Sequence, residues 1–186
     1  YHGAFIPKIT REDIKLRKPE DYVEGAKSVI VLGMHFPDEL LRNAGLEKSM
    51  QIGCYGFHQY RTTFELRFAA VELAGMLSDM GYKTMVTDNM LGIGSRVDTP
   101  RGKHPDARSS ALEAVAAGLG EIGKSGALLT AEHGPHQRCI VIVTDAELPT
   151  DTAAQAAGYC KDCEICAEKC PMEALNDDSF TIRIGD

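Results

Sequence analysis

The sequence predicts an α/β (α+β) fold, a mixed sheet flanked by helices, followed by a small C-terminal cysteine-rich module. Two observations predict it. Short apolar runs alternate with segments of helical apolar spacing up to about Asp145, and the composition changes from Cys160 onward. We therefore expect a core domain over residues 1–147, a connector over 148–158 and the module over 159–186.

The first half of the chain supplies three predicted elements. Residues 10–17 begin with a capping pattern and predict a short surface helix. Residues 27–33 are an apolar run ended by glycine and predict a buried strand. A long helix is predicted from Phe57 to Met80, closed by Gly81. Its apolar residues recur at helical spacing: Phe64, Phe68, Val71, Leu73, Met76, Leu77 and Met80.

The second half continues the alternation. Residues 83–87 predict a strand, and the alanine-rich residues 109–118 predict a helix. The run at 138–144 is the clearest strand of all, and Leu128 with Leu129 predicts a further short one.

Charge and hydropathy exclude several classes of protein. The net charge is -7, from 20 Lys and Arg against 27 Asp and Glu, which disfavours binding to a phosphate backbone. No apolar run reaches the roughly 20 residues that span a bilayer. We expect a cytoplasmic protein, since nothing indicates secretion. The first residue is Tyr1 rather than Met, so we expect a processed chain or a fragment.

Four cysteines carry the sharpest functional signal. Cys160, Cys163, Cys166 and Cys170 precede Pro171 in the spacing C-x2-C-x2-C-x3-C-P, typical of bacterial ferredoxin loops that bind a 4Fe-4S cluster. Two intervening residues let a tight loop wrap one face of the cluster. Zinc sites usually present two separated cysteine pairs, and disulfides need an oxidising compartment. The run therefore predicts a ferredoxin-like iron–sulfur module, with a short helix after Pro171.

The fourth ligand is left open. In two-cluster ferredoxins the last cysteine of such a run binds the other cluster, and these 186 residues contain no second run. Either that run lies on a further C-terminal segment, or Cys170 closes the single cluster. Cys54 and Cys139 are alternative ligands, but Cys139 lies in an apolar run and is better interpreted as an inert buried thiol.

A glycine motif over residues 118–125 matches both G-x-G-x-x-G and the phosphate-binding G-x4-G-K-[ST]. Both mechanisms need a strand before the glycines and a helix after them. Here a predicted helix precedes and a short apolar strand follows. We therefore interpret Gly118, Gly120 and Gly123 as a structural turn that permits close approach of a flat or bulky ligand.

Together these stretches resemble the epoxyqueuosine reductase and reductive dehalogenase superfamily. The likeness covers most of residues 26–175. The stretches that carry it are 26–33, 53–60, 118–124, Gly134, 138–148 with Thr144 and Asp145, and the cysteine run at 160–171.

The resemblance implies a nitroreductase-like core that holds a corrinoid (cobalamin), fed with electrons by the ferredoxin-like module. It implies an oxidoreductase that removes oxygen or halogen from a small substrate by two-electron reduction. The electron donor would be a ferredoxin, a flavodoxin or a reductase. Two departures stand out. The second cysteine run is missing, and Asp98 and Asp106 fall out of register with the acid that precedes the glycine turn in epoxyqueuosine reductases.

Candidate catalytic residues follow from this. Tyr55 and Tyr60 are candidate proton donors over the corrinoid, or else pack at a helix start. Asp98 and Asp106 are candidate general acids, or else solvated loop carboxylates.

The cofactor-binding candidates are Gly118, Gly120 and Gly123, with Lys124 and Arg138 as anchors for an anionic cofactor rim. Two alternative functions stay open. One is a non-catalytic 4Fe-4S electron-transfer or assembly protein. The other is a flavin-dependent reductase, recognisable by its yellow chromophore.

Overall fold

A computed structural model describes residues 18–37, 52–87, 97–99, 102–104, 110–151, 158–171 and 175. A 3-10 turn at Pro19–Asp21 precedes the first strand. The strands are β1 (Ser28–His35), β2 (Thr84–Thr87), β3 (Val97–Thr99), β4 (Gly102–His104), β5 (Glu121–Ile122), β6 (Leu128–Leu129) and β7 (Gln137–Thr144). The helices are α1 (Ile52–Asp79), α2 (Ser110–Ala116) and α3 (Ile165–Glu168).

Strand β7 is the centre of the core sheet, whose order is β1-β7-β2. Both neighbours pair with it antiparallel, with Ile30 and Val86 each opposite Ile142. Because β7 is hydrogen-bonded on both edges and packed by helix α1, its run of branched residues leaves water almost completely. The fully buried side chains are Ile140, Val141, Ile142, Val143 and Thr144.

Helix α1 packs on this sheet through small residues. Leu66, Ala70 and Ala74 form one cluster with Ile140 and Ile142 of β7. The alanines lie one turn apart, so the helix backbone can approach the sheet closely.

The periodicity predicted helix α1 correctly but not its buried face. Five of the seven apolar residues named from the spacing are exposed, by between 52% and 73%. The helix also begins earlier than predicted, at Ile52, and ends at Asp79 just before Gly81, whose φ is 93°. The exposed residues are Phe64, Phe68, Val71, Met76 and Met80.

The strand predictions are confirmed with one correction. Strands β2, β6 and β7 and helix α2 lie where the sequence placed them. Strand β1, however, continues through Gly33 to His35, because Gly33 remains paired with Cys139. Its residues are half-buried or exposed rather than buried. The predicted helix at 10–17 lies outside the described residues.

The α/β class is confirmed, and all pairings between the described strands are antiparallel. The ferredoxin-like module and the boundaries at 147 and 159 stay predictions. In the part of the chain that the structure describes, no helix combines the length and apolar character needed to cross a membrane.

Candidate functional site

The cysteine loop, residues 158–171, places its four thiols in one compact segment. Cys160, Cys163 and Cys170 are half-buried and Cys166 is exposed. Backbone hydrogen bonds tighten the loop: the Cys163 N–H donates to the Cys160 carbonyl at 3.4 Å, and the Cys170 N–H to Ala167 at 3.2 Å.

The short helix of this loop is α3, which contains Cys166 and precedes Pro171. The sequence had placed a helix after the proline, where residues 172–174 lie outside the described part.

The four cysteines of the loop are the kind of donor that an iron–sulfur cluster uses. Across residues 18–37, 52–87, 97–99, 102–104, 110–151, 158–171 and 175, no three His, Cys, Asp or Glu side chains converge on one metal position. A 4Fe-4S cluster is held by four cysteine thiolates. Four thiols at ferredoxin spacing in one short loop match that requirement.

The cysteine loop lies against the glycine hairpin, residues 118–130. Helix α2 ends at Ala116, Gly118 takes a φ of 79°, and β5 then pairs with β6. Helix, turn and strand therefore follow in the predicted order, the reverse of what both phosphate-binding patterns require. The interpretation of this motif as a structural turn is supported by that order.

Two glycines of the hairpin have no room for a side chain. A Cβ at Gly120 would overlap the carbonyl oxygen of Leu129. A Cβ at Gly123 would lie 2.8 Å from Leu129 Cδ1 and 3.2 Å from Cys160 Sγ. The sequence predicted that a ligand could approach these glycines closely. In the structure, Leu129 of the hairpin and Cys160 of the loop lie close to them.

Polar contacts join the hairpin to the loop as well. Glu121 accepts hydrogen bonds from the backbone N–H groups of Gly158, at 2.9 Å, and Tyr159, at 2.6 Å. Lys124 forms an ion pair with Glu164.

The hydrogen bond from Lys124 to Glu164 raises the pKa of Lys124, opposed by partial burial. The negative charge of Glu164 raises this pKa further, with smaller contributions from Cys160 and Cys163.

Comparison with known proteins gives relatives of one kind. The chain is 34% identical over 102 residues to the tetrachloroethene reductive dehalogenase of Desulfitobacterium hafniense. The matched region covers 54% of this chain and 18% of that enzyme. The solved structure of epoxyqueuosine reductase with an epoxyqueuosine-modified tRNA-Tyr stem loop matches 94% of the chain with a TM-score of 0.64 at 18% identity. That match covers 45% of the reductase.

A second solved structure agrees. Epoxyqueuosine reductase from Bacillus subtilis matches 92% of this chain and 42% of its own, with a TM-score of 0.62 and 18% identity. No protein-family model matches the chain. The resemblance to the epoxyqueuosine reductase and reductive dehalogenase superfamily is confirmed. The chain spans less than half the length of these superfamily members, whose names place them among the oxidoreductases.

The site residues that the resemblance predicted divide into two groups. Gly123 and Lys124 lie against the cysteine loop. Tyr60 lies on α1 and is 63% exposed, and Arg138 is half-buried on β7 opposite Met34.

Three other candidates are not tested by the structure. Tyr55 lies in α1 and Asp98 in β3, but their side chains are outside the described set, and so is Asp106 altogether. Their proposed proton-donor roles stay predictions.

Sequence reasoning missed Glu121 and Glu164, the two carboxylates that hold the loop and the lysine. Glu121 stands inside the glycine motif, where attention falls on the glycines, and nothing local indicates its partners 37 and 38 residues away. It also missed a stacked pair of imidazoles, His35 and His133, whose ring centroids are 4.3 Å apart.

Cys139 behaves as the sequence indicated. It is half-buried on β7 opposite Gly33, and burial raises its pKa from 9.0 to about 11. A thiol that resists ionisation is a poor nucleophile and a poor metal ligand. This agrees with the interpretation of Cys139 as an inert core residue.

Proposed function

We propose that the cysteine loop binds a 4Fe-4S cluster that would pass electrons to a corrinoid held by the α/β core of this chain. The observation that carries the proposal is the ferredoxin-type spacing of four thiols in a loop fixed to the glycine hairpin. When bound, the cluster supplies one-electron transfer at low potential.

The chain's own residues have distinct parts in this proposal. The thiolates of Cys160, Cys163, Cys166 and Cys170 hold the cluster. Lys124 places a positive charge near Cys160 and Cys163, which opposes the negative charge of the thiolates. The hairpin packs against the first of these cysteines, because a Cβ at Gly123 would lie 3.2 Å from Cys160 Sγ.

For the whole enzyme we propose reductive removal of a halogen from a small organic substrate. Two electrons and one proton would replace a carbon–halogen bond with a carbon–hydrogen bond and release halide. Support comes from the 34% identity over 102 residues to a tetrachloroethene reductive dehalogenase. The net charge of -7 is a poor match to a tRNA substrate.

The corrinoid is the proposed electron acceptor, supported by the superfamily resemblance. The residues predicted to hold it remain candidates: Gly118, Gly120, Gly123, Lys124 and Arg138. Of these, Gly123 and Lys124 also contact the cysteine loop. A flavodoxin, ferredoxin or reductase would donate the electrons.

The first test is anaerobic reconstitution of the purified chain with iron and sulfide. We expect about four irons per chain and the electron paramagnetic resonance signal of a reduced 4Fe-4S cluster. Cys163→Ser should lose the cluster, whereas the matched Cys139→Ser variant should keep it. Tetrahedral zinc in place of iron, or equal iron in both variants, would overturn the proposal.

The second test concerns the acceptor. Titration of the reconstituted protein with cob(II)alamin should change the visible absorption of the corrinoid, and chloride should be released from tetrachloroethene with a chemical reductant. An intact cluster with no corrinoid binding would refute the acceptor and support a non-catalytic electron carrier. A flavin absorption band in the purified protein would instead support the flavin-dependent alternative.

A further inference from the structure

Glu121 accepts two hydrogen bonds from the first residues of the cysteine loop. Its Oε2 receives the Gly158 N–H at 2.9 Å and its Oε1 the Tyr159 N–H at 2.6 Å. Hydrogen bonds to an ionised carboxylate are about twice as strong as neutral ones. One side chain of the hairpin therefore fixes two successive peptide units immediately before Cys160.

The backbone at this point is shaped to present both amides. Gly158 has a φ of 70°, a conformation that side-chain-bearing residues rarely adopt, and neighbouring N–H groups can then converge on one anion. The Gly158 carbonyl in turn accepts the Lys161 N–H at 3.0 Å. Cys160 therefore lies between Tyr159, which Glu121 holds, and Lys161, which closes the turn.

The sulfur of Cys160 is held against the same hairpin. A Cβ added at Gly123, two residues after Glu121, would meet Cys160 Sγ at 3.2 Å. Gly123 leaves room for the Cys160 sulfur because it has no side chain, and Glu121 holds the backbone just before Cys160. Together the two residues position Cys160.

We propose that Glu121 is a positioning residue for the iron–sulfur site, acting on Cys160 through the Gly158–Tyr159 backbone. The proposal rests on the proposed function, since it assigns the fixed thiol to a cluster. On this proposal, the glycine motif holds the cysteine loop in place.

The ion pair of Lys124 with Glu164 is a weaker second contact between the same two segments. The two side chains are 40% and 58% exposed, and water screens pairs of this kind. Removal of Lys124 should accordingly change the loop less than removal of Glu121.

The first experiment measures the anchor without the cluster. Amide hydrogen exchange at Gly158 and Tyr159 in the iron-free full chain should be roughly tenfold or more faster in Glu121→Gln, which keeps a single acceptor oxygen for two donors. Glu65→Gln removes the same charge from the Arg61–Glu65 pair on α1 and should leave these amides unchanged. Equal exchange in all three proteins would overturn the proposal.

The second experiment measures the consequence for the cluster. With reconstituted protein, Glu121→Gln should lose iron to a chelator several-fold faster than wild type and Glu65→Gln. Faster amide exchange with unchanged iron release would show that Glu121 orders the backbone but does not position Cys160, which also refutes the proposal. If wild type binds no iron, the proposed function fails. The exchange data then still test whether Glu121 holds the backbone at Gly158 and Tyr159.

A glycine pair tests the placement of Cys160 with Glu121 unchanged. Gly123→Ala keeps Glu121, but its Cβ would lie 2.8 Å from Leu129 Cδ1 and 3.2 Å from Cys160 Sγ, so iron release should again accelerate. Gly33→Ala is matched, because its Cβ would lie 3.8 Å from Cys139 Sγ, an ordinary contact. Indistinguishable iron release from these two variants would contradict the placement of Cys160 against the hairpin.

Discussion

The core sheet and the cysteine loop are held by different forces. Strand β7 buries five consecutive side chains completely, and α1 packs on them with leucine and alanine. In residues 158–171 every side chain is half-buried or exposed, and the loop is attached by hydrogen bonds and an ion pair. The core is stabilised by burial of apolar surface and the loop by polar contacts.

This difference separates folding from function in the molecule. Hydrophobic packing is indifferent to redox state, whereas a loop with little buried surface opens at low free-energy cost. A bound cluster would add its binding free energy to the state in which that loop is formed. We therefore expect substitutions in the core to change the unfolding of the whole chain, and substitutions in the loop to change metal retention.

The largest expected effect is on the core. Ile142→Ala should lower the free energy of unfolding by roughly 2–5 kcal/mol, because its side chain is fully buried in the cluster with α1. Ile165→Ala removes the same atoms from the cysteine loop, where Ile165 is 63% exposed, and should cost less than about 0.5 kcal/mol. Urea denaturation measures both, and similar costs would remove the contrast between the two regions.

The two regions should also differ in thiol chemistry. Burial raises the pKa of Cys139 to about 11, so at a given pH it has about a hundredfold less thiolate than an ordinary cysteine. In iron-free protein, iodoacetamide should alkylate the exposed Cys166 long before Cys139, as read by peptide mass spectrometry. Comparable rates would refute the assignment of Cys139 as inert.

The same shift of pKa predicts a pH dependence of stability. The folded pKa lies above the unfolded one, so the contribution of this thiol is complete below pH 9.0 and is lost as pH rises towards about 11. Cys139→Ala should flatten the fall in unfolding free energy over that range. A fall of equal steepness in the variant would assign the pH dependence to other groups.

Much of the core was predictable from the sequence, because its signals are local. The continuous run that became β7 and the glycine-bounded ends of α1 and α2 need no knowledge of distant residues. The buried face of α1 was not predictable in this way. From their size, Phe64 and Phe68 were expected on the buried face, but Ala70 and Ala74 pack on the sheet instead. Which side chains fit there depends on the distance between helix and sheet, which is not a local property of the sequence.

The candidate site divides along the same line. The cysteine spacing is a local pattern and predicted the thiol loop directly. The partners of Glu121 lie 37 and 38 residues away, so their contact depends on how the hairpin and loop meet in space. Likewise, the glycines at 120 and 123 indicated a close approach, but not that Leu129 and Cys160 make it.

A smaller effect should come from a buried hydroxyl at the end of β7. Thr144 is fully buried, and its Oγ1 accepts the Ala146 N–H at 3.1 Å. Thr144→Val should cost roughly 1–3 kcal/mol, because it leaves that N–H without an acceptor. Thr87→Val is the comparison: its hydroxyl donates to the Val141 carbonyl at the long distance of 3.4 Å and should cost less. Equal costs in thermal unfolding would indicate that burial alone sets the penalty.

The smallest expected effect is a gain in stability on the exposed side of α1. A Cβ at Gly75 would meet no atom within 4 Å, and the residue lies inside the helix, so Gly75→Ala should stabilise the chain by roughly 0.5–1 kcal/mol. Gly81→Ala is the matched control, since a φ of 93° strains any side-chain-bearing residue and should destabilise instead. Because α1 belongs to the core, both changes should move the unfolding midpoint and leave iron release unchanged. Faster iron release from Gly81→Ala would show that the two regions are coupled, against the separation argued from their different contacts.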